Sequence, residues 1–248
     1  NKVKYKNLLR AAVGTRLGLL LRSDNFVIHS LGVLPSNFSK FINKSDFDII
    51  NLHWIGGEMI SIEDIGKIKK PIVWTLHDMW PFCGAEHFTL DDRWKYGYFK
   101  SNKKKNEKYF DLKRFCWDRK VRSWKKKMNI VGVSDWISNC ASDSSLMCDW
   151  PNRTINNTLD TNFWKPESKS KAREFFNLPM NIKIFGYGSL GYKNSSLKGK
   201  DLFLSAIKHI KHDKKKFGIF FLGEGNDFAD EINGIKIFKV DRLDNDNE

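Results

Sequence analysis

With 248 residues, 41% of them hydrophobic, the chain is globular rather than disordered and long enough for one large core or two smaller ones. Its formal charge of +14 attracts nucleic acid, anionic membrane surfaces or phosphate-bearing substrates, but no nucleic-acid-reading module is recognisable, so we expect no nucleic-acid partner. No apolar run approaches the roughly 18 residues of a membrane span, and the four cysteines lack CxxC or zinc-type spacing, which is typical of reduced thiols without a metal.

The amino-terminal segment shows no targeting signal. Residues 17–21 form too short an apolar run for a signal peptide, and Arg16 and Arg22 flank it, so we expect a cytoplasmic protein. The first 45 residues also lack an opening strand followed by a Gly-rich turn. The sequence therefore predicts a first domain that is missing its start.

From about Asp46 onward, short β-branched runs alternate with helical stretches. The predicted strands are 49–53, 72–76, 130–134, 182–186, 218–222 and 235–240. The predicted helices are 61–67, 110–127, 134–147, 168–176, 199–212 and 227–232. This alternation predicts an α/β fold of parallel sheets with helices on both faces.

The alternation pauses at residues 158–166, where Pro166 ends any continuing element. We therefore predict two Rossmann-like domains, residues 1–158 and 159–248. The second has three convincing strands, whereas a doubly wound nucleotide-binding sheet has about five or six. We expect a truncated second domain.

Two predicted strand ends in the first domain carry candidate site residues. Trp54, Gly56 and Gly57 follow strand 49–53, where a Trp face can stack on a sugar and glycines allow a ligand to approach the backbone; a tight turn with a core Trp explains them equally well. His77 and Asp78 follow strand 72–76, at the edge where ligands of open α/β sheets bind. Asp78 is placed to orient the imidazole of His77, or to serve as a turn residue.

The segments that follow have two interpretations each. Residues 84–108 form a long, aromatic and basic loop of the kind that serves as a lid or a binding segment. The neighbouring Asp91 and Asp92 alone do not indicate a metal. The basic helix 110–127 either lies on anionic lipid or covers the sheet with its apolar stripe while its cations face water. Peripheral contact with the inner face of a membrane therefore stays open.

The second domain supplies candidates for binding a phosphorylated donor. Gly186 and Gly188 leave a predicted strand, and Lys198 with Gly199 opens a helix whose amino terminus attracts anions. Gly223 follows the next strand, where a plain turn is equally expected.

Residues 48–57, 77–88, 157–161 and 198–199 together resemble glycosyltransferase family 4, in the branch of colanic acid and related polysaccharide biosynthesis. The resemblance implies a GT-B fold and the retaining, metal-independent transfer of a hexose to a glycan or lipid-linked acceptor. The donor is a nucleoside-diphosphate sugar, a co-substrate rather than a cofactor. By this resemblance His77 lines the cleft between domains near the donor sugar, and we assign Asp78 to the catalytic site with it. Trp54, Gly56, Gly57 and His87 are our candidates for the acceptor side.

The same resemblance assigns Lys198 to the leaving diphosphate and Gly223 with Glu224 to the nucleotide. The family pairs that lysine with an arginine, and here Lys193 is the imperfect substitute because it lacks a bidentate fork. The family's Glu-x7-Glu donor motif is also missing. An inactive truncated remnant or a non-catalytic binding module is therefore the alternative function.

Overall fold

A computed structural model describes residues 2–21, 27–105, 110–188, 198–211, 213–223 and 230–241, with the side chains of the first helix described from Leu8 onward. The chain divides into two compact units, Asn1–Thr158 and Leu159–Glu248. Among the helices of these described ranges, none is both long enough and apolar enough to cross a bilayer.

The first unit contains a parallel sheet whose four described strands run in chain order. These strands are β1 (Ile50–Leu52), β2 (Ile72–Leu76), β3 (Asn129–Gly132) and β4 (Asn152–Thr154). The helices are α1 (Lys2–Leu21), α2 (Phe38–Lys44), α3 (Ile62–Gly66), α4 (Arg93–Tyr96), α5 (Leu112–Ser123) and α6 (Asp135–Asp143). The register pairs Leu52 with Trp74 and Leu76 with Gly132, so the carboxyl ends of neighbouring strands lie at one edge.

The first unit's core is built on β2, whose residues Ile72, Trp74 and Leu76 are all buried. Trp74 packs edge-on against Trp124, with ring centroids 5.2 Å apart. Ser61 accepts a hydrogen bond from the amide of Asp64 and so caps α3. The buried side chains thus stabilise β2, and the Ser61 cap stabilises the start of α3.

The second unit contains β5 (Lys183–Gly188), β6 (Phe217–Leu222), β7 (Glu231–Ile232) and β8 (Ile235–Val240), in the order β5-β6-β8-β7. Its α-helices in the described ranges are α7 (Lys169–Phe175) and α8 (Lys200–Lys208). β5, β6 and β8 are parallel, and β7 is antiparallel to β8.

The predicted helix 227–232 is wrong where the structure describes it, because residues 231–232 form β7. Asn233 and Gly234 both have positive φ, 52° and 72°, and connect β7 to β8 as a tight turn. Asn-Gly is a strong hairpin signal because both residues tolerate this conformation.

The prediction that residues 84–108 form a lid is wrong for its first part. Ala85 and Tyr98 are fully buried, Glu86 is buried, and the segment includes α4. The phenol of Tyr98 donates a 2.5 Å hydrogen bond to the carboxylate of Glu86. Movement of this segment as a lid would require opening the hydrophobic core.

The prediction that the cations of helix 110–127 face water or lipid is also wrong for three of them. Lys113, Arg119 and Lys120 are buried. The Lys120 ammonium donates hydrogen bonds to the carbonyl oxygens of Trp80, Cys83 (3.1 Å) and Gly84 (2.7 Å). Burial lowers the pKa of Lys120 from 10.5 to about 8, so the group is mainly protonated at neutral pH, with three donors for three acceptors.

Replacing Lys120 with Met should lower the free energy of unfolding by about 3 kcal/mol or more, because several buried carbonyl groups lose their partner. Urea unfolding followed by circular dichroism measures this loss. The control is Arg122→Met, an exposed cation of the same helix, for which we expect a change within about 0.5 kcal/mol. Equal effects of the two variants would contradict the assigned role of Lys120.

Arg119 couples α5 to α3. Its Nε and Nη2 atoms lie 2.7 and 2.5 Å from the two carboxylate oxygens of Glu63, and its Nη1 donates to the Leu31 carbonyl. Partial burial raises the pKa of Glu63, but the hydrogen bonds and charge of Arg119 outweigh it and hold this pKa below its ordinary 4.5.

This lowered pKa predicts that the ion pair stabilises the fold fully above pH 4.5 and loses its contribution as the pH falls through the lower folded-state value. Urea unfolding at a series of acidic pH values measures the effect. Glu63→Gln should flatten this part of the profile, since the amide does not titrate. An unchanged slope in the variant would assign the acid sensitivity to other carboxylates.

Candidate functional site

Two histidines extend from the carboxyl ends of neighbouring strands. His53 follows β1 and His77 follows β2, and both are exposed. The distance from His53 Nδ1 to His77 Nε2 is 2.9 Å, a hydrogen-bond distance. One of these two nitrogens must accept the hydrogen bond. At least one of the two imidazole rings is therefore neutral while this bond exists.

The sequence suggested that Asp78 orients the imidazole of His77. In the structure Asp78 instead hydrogen-bonds to His87. Asp78 Oδ2 lies 2.6 Å from His87 Nδ1, and its Oδ1 accepts from the Trp80 amide at 3.0 Å. The reason is the return of the chain, because the segment after β2 folds back and places residue 87 against residue 78.

His87 is buried and both of its ring nitrogens have protein partners. Its Nε2 lies 2.7 Å from Ser30 Oγ, and Ser30 Oγ accepts from the Gly57 amide at 3.0 Å. We assign the hydrogen on Nδ1 to the bond that Asp78 Oδ2 accepts, and Nε2 then accepts a hydrogen bond from the Ser30 hydroxyl. The arrangement Asp78–His87–Ser30–Gly57 thus joins three loops, and His87 has no nitrogen left for an acceptor sugar.

The glycines after β1 are explained by this network. A methyl group on Gly56 would come within 2.8 Å of Ser30 Oγ and 2.9 Å of His87 Cε1, so no larger residue fits without displacement. Gly57 has a φ of 64°, which favours glycine. Beside them Trp54 is about half exposed, and its ring lies 5.5 Å from the His87 ring between centroids.

A small cavity lies between these side chains, lined by residues that include Trp54, Gly56, His77, Asp78 and His87. Its volume is about 10 Å³, which is close to the space that one water needs. At this site the exposed faces of His77 and Trp54, rather than a deep pocket, are therefore what a ligand can contact.

In the second unit two of the donor candidates, Gly188 and Gly223, lie at the carboxyl ends of neighbouring strands. Gly188 ends β5 and pairs with Leu222 at the end of β6, and the Gly223 amide donates to the Val240 carbonyl at 3.1 Å. Gly186, also in β5, has open space where a side chain would be, so packing within the described residues does not require glycine there.

Lys198 and Gly199 precede α8. Lys198 is exposed, and Gly199 is the N-cap of the helix with a φ of 71°. Binding of an anion at the amino terminus of α8 stays a prediction. Lys193 and Glu224 lie outside the described residues.

Two residues of the first site were missed by sequence reasoning. His53 had a usable signal, since it ends a predicted strand next to the one that His77 follows. Ser30 had none, because it is 57 residues from His87 and lies in no predicted element. In the part of the chain that the structure describes, no group of three or more His, Cys, Asp or Glu residues is suitably placed to hold a metal ion.

Replacing His87 with Phe should destabilise the fold by about 1–3 kcal/mol, because Asp78 and Ser30 lose a buried partner. The matched variant His77→Phe changes an exposed ring in the same loop, and we expect a change within about 0.5 kcal/mol. Thermal and urea unfolding of both variants test this difference. Similar stabilities would show that the network contributes little.

No protein-family profile matches the chain, and no curated protein matches it. Among solved structures, the chain is similar to sucrose-phosphate synthase from Thermosynechococcus elongatus, with a TM-score of 0.52 and 11% sequence identity. The match covers 85% of this chain and 49% of the synthase chain, so this chain spans about half of that protein's length. Together with the parallel pairing of β1 to β4 and of β5, β6 and β8, this likeness confirms the predicted α/β, Rossmann-like fold of the GT-B class.

Proposed function

We propose that this chain belongs to a glycosyltransferase that transfers a hexose from a nucleoside-diphosphate sugar to a glycan or lipid-linked acceptor in polysaccharide biosynthesis. We propose further that the transfer is retaining and independent of a metal. The observation that carries the proposal is the exposed His77, presented at the carboxyl edge of a Rossmann-like sheet and hydrogen-bonded to His53. The fold likeness to a sucrose-phosphate synthase supports it.

His77 would contact the reacting end of the donor sugar. Its Nε2 is engaged by His53, while its Nδ1 makes no hydrogen bond within the described residues and is therefore the atom we assign to the ligand. Trp54 would supply an apolar face for an acceptor sugar. Asp78 and His87 position the surrounding loops and do not touch the substrate.

Lys198 would bind the diphosphate. In the transfer, the bond between the sugar's anomeric carbon and the diphosphate oxygen breaks, and its electron pair stays on the diphosphate. The acceptor hydroxyl oxygen forms the new bond, and its proton passes to the departing diphosphate. An ammonium and a helix amino terminus both stabilise the charge that develops on this leaving group.

We expect His77→Ala and Lys198→Ala each to reduce turnover about a hundredfold or more, since each removes a group assigned to the transition state. The assay measures release of nucleoside diphosphate from a panel of nucleoside-diphosphate hexoses, using protein expressed from its complete reading frame. His209→Ala and Lys169→Ala change exposed residues of the same types and should leave turnover unchanged.

Near-wild-type turnover in both site variants would refute the proposed roles. Donor binding without turnover in the wild-type protein would instead favour the non-catalytic binding module. Calorimetric titration with the same donors separates these two outcomes.

A further inference from the structure

A lysine-rich surface lies at the amino ends of the strands in the first unit, the edge opposite to His53 and His77. Residues 67–70 precede β2, residues 125–127 precede β3, and α2 packs beside α3 at the same edge. Together they form an open groove of about 680 Å³, which we call the lysine groove. Its lining residues are Ser39, Lys40, Asn43, Asp64, Gly66, Lys67, Ile68, Lys69 and Lys126.

The groove is held together by hydrogen bonds between its segments. The Asn43 side chain donates to the Lys67 carbonyl and accepts from the Lys69 amide, both at 2.8 Å. The Lys126 ammonium donates to the Lys69 carbonyl at 3.1 Å. These bonds fix the positions of α2, the turn before β2 and the turn before β3, so the charges are displayed on a preorganised surface.

Lys40 and Lys69 are the cations of this groove that remain for a partner. Both are exposed, and within the described residues neither side chain has an ion pair or hydrogen bond. Lys67, by contrast, binds Asp64 at 3.2 Å. The exposed carboxylates in the neighbouring segment are Asp46 and Asp48, fewer than the lysines of the groove.

Exposed aromatic rings follow Lys40 along the chain, in α2 and in the segment between α2 and β1. Phe41 is 62% exposed and Phe47 is 48% exposed, and the two rings pack edge to face with centroids 6.4 Å apart. Lys70 fixes the backbone beneath them, because its ammonium donates to the Phe47 carbonyl at 2.6 Å. Phe38, in the first turn of α2, is also exposed. Water disfavours such rings, whereas the boundary between lipid headgroups and acyl chains accommodates them.

We propose that the lysine groove and the Phe41–Phe47 pair form a docking surface for an anionic phospholipid bilayer. The lysines bind the phosphate groups of the headgroups, and the two rings enter the interface. A soluble polyanion would satisfy the lysines and leave the rings in water. This surface is separate from α5, whose cations Lys113, Arg119 and Lys120 are buried.

The test is flotation of the protein with vesicles of phosphatidylcholine alone or of phosphatidylcholine mixed with phosphatidylglycerol. We expect binding only to the mixed vesicles, weakening as salt is raised. The double variant Lys40→Glu with Lys69→Glu should bind at least about 25-fold more weakly, since each lysine near an anionic surface contributes roughly a factor of five. The control, Lys100→Glu with Lys169→Glu, makes the same charge change at exposed sites elsewhere and should bind like the wild type.

A second variant, Phe41→Ser with Phe47→Ser, should also weaken vesicle binding while keeping the salt dependence of the wild type. Circular dichroism confirms that each variant is folded. Wild-type protein that ignores phosphatidylglycerol, or groove and control variants that bind equally, would overturn the proposal. So would full competition by inorganic polyphosphate combined with no effect of the phenylalanine changes, because that result identifies a soluble polyanion as the partner.

Discussion

A protonated lysine inside the first unit determines the path of the chain after β2. Lys120 hydrogen-bonds three carbonyl groups of the segment 80–84 and lies 3.9 Å from the ring centre of Trp80. Such a turn exposes several carbonyls that an apolar core cannot satisfy, and the ammonium supplies donors for them. The segment can therefore enter the core and return. That return brings His87 back to Asp78, on which the arrangement of the site depends.

The two edges of the first sheet have different chemistry because its strands are parallel. All carboxyl ends meet at one edge, where His53 and His77 are hydrogen-bonded. All amino ends meet at the other, where the turns before β2 and β3 bring lysines together. The parallel arrangement therefore keeps the candidate site and the lysine groove at opposite ends of the strands.

Much of the fold could be predicted because its signals are local. The buried run of β2 and the strand β8 were predicted with the bounds that the structure shows, and Ser61 signals the start of α3. The hairpin at Asn233 was also readable but was missed, since the short β7 resembles the end of a helix in its pattern. The burial of Ala85, Glu86 and Tyr98 was not predicted, because a long segment without regular structure looks solvent-exposed until its partners are known.

The sequence alone was sufficient to place His77 at the end of a strand and Lys198 before a helix, because hydrophobic periodicity and glycine positions act over a few residues. It was not sufficient to assign the partner of Asp78. Spacing suggested the adjacent His77, whereas the folded chain pairs Asp78 with His87 and extends the network to Ser30, 57 residues from that histidine. Contacts between distant segments depend on how the whole core closes, and only the tertiary structure contains that information.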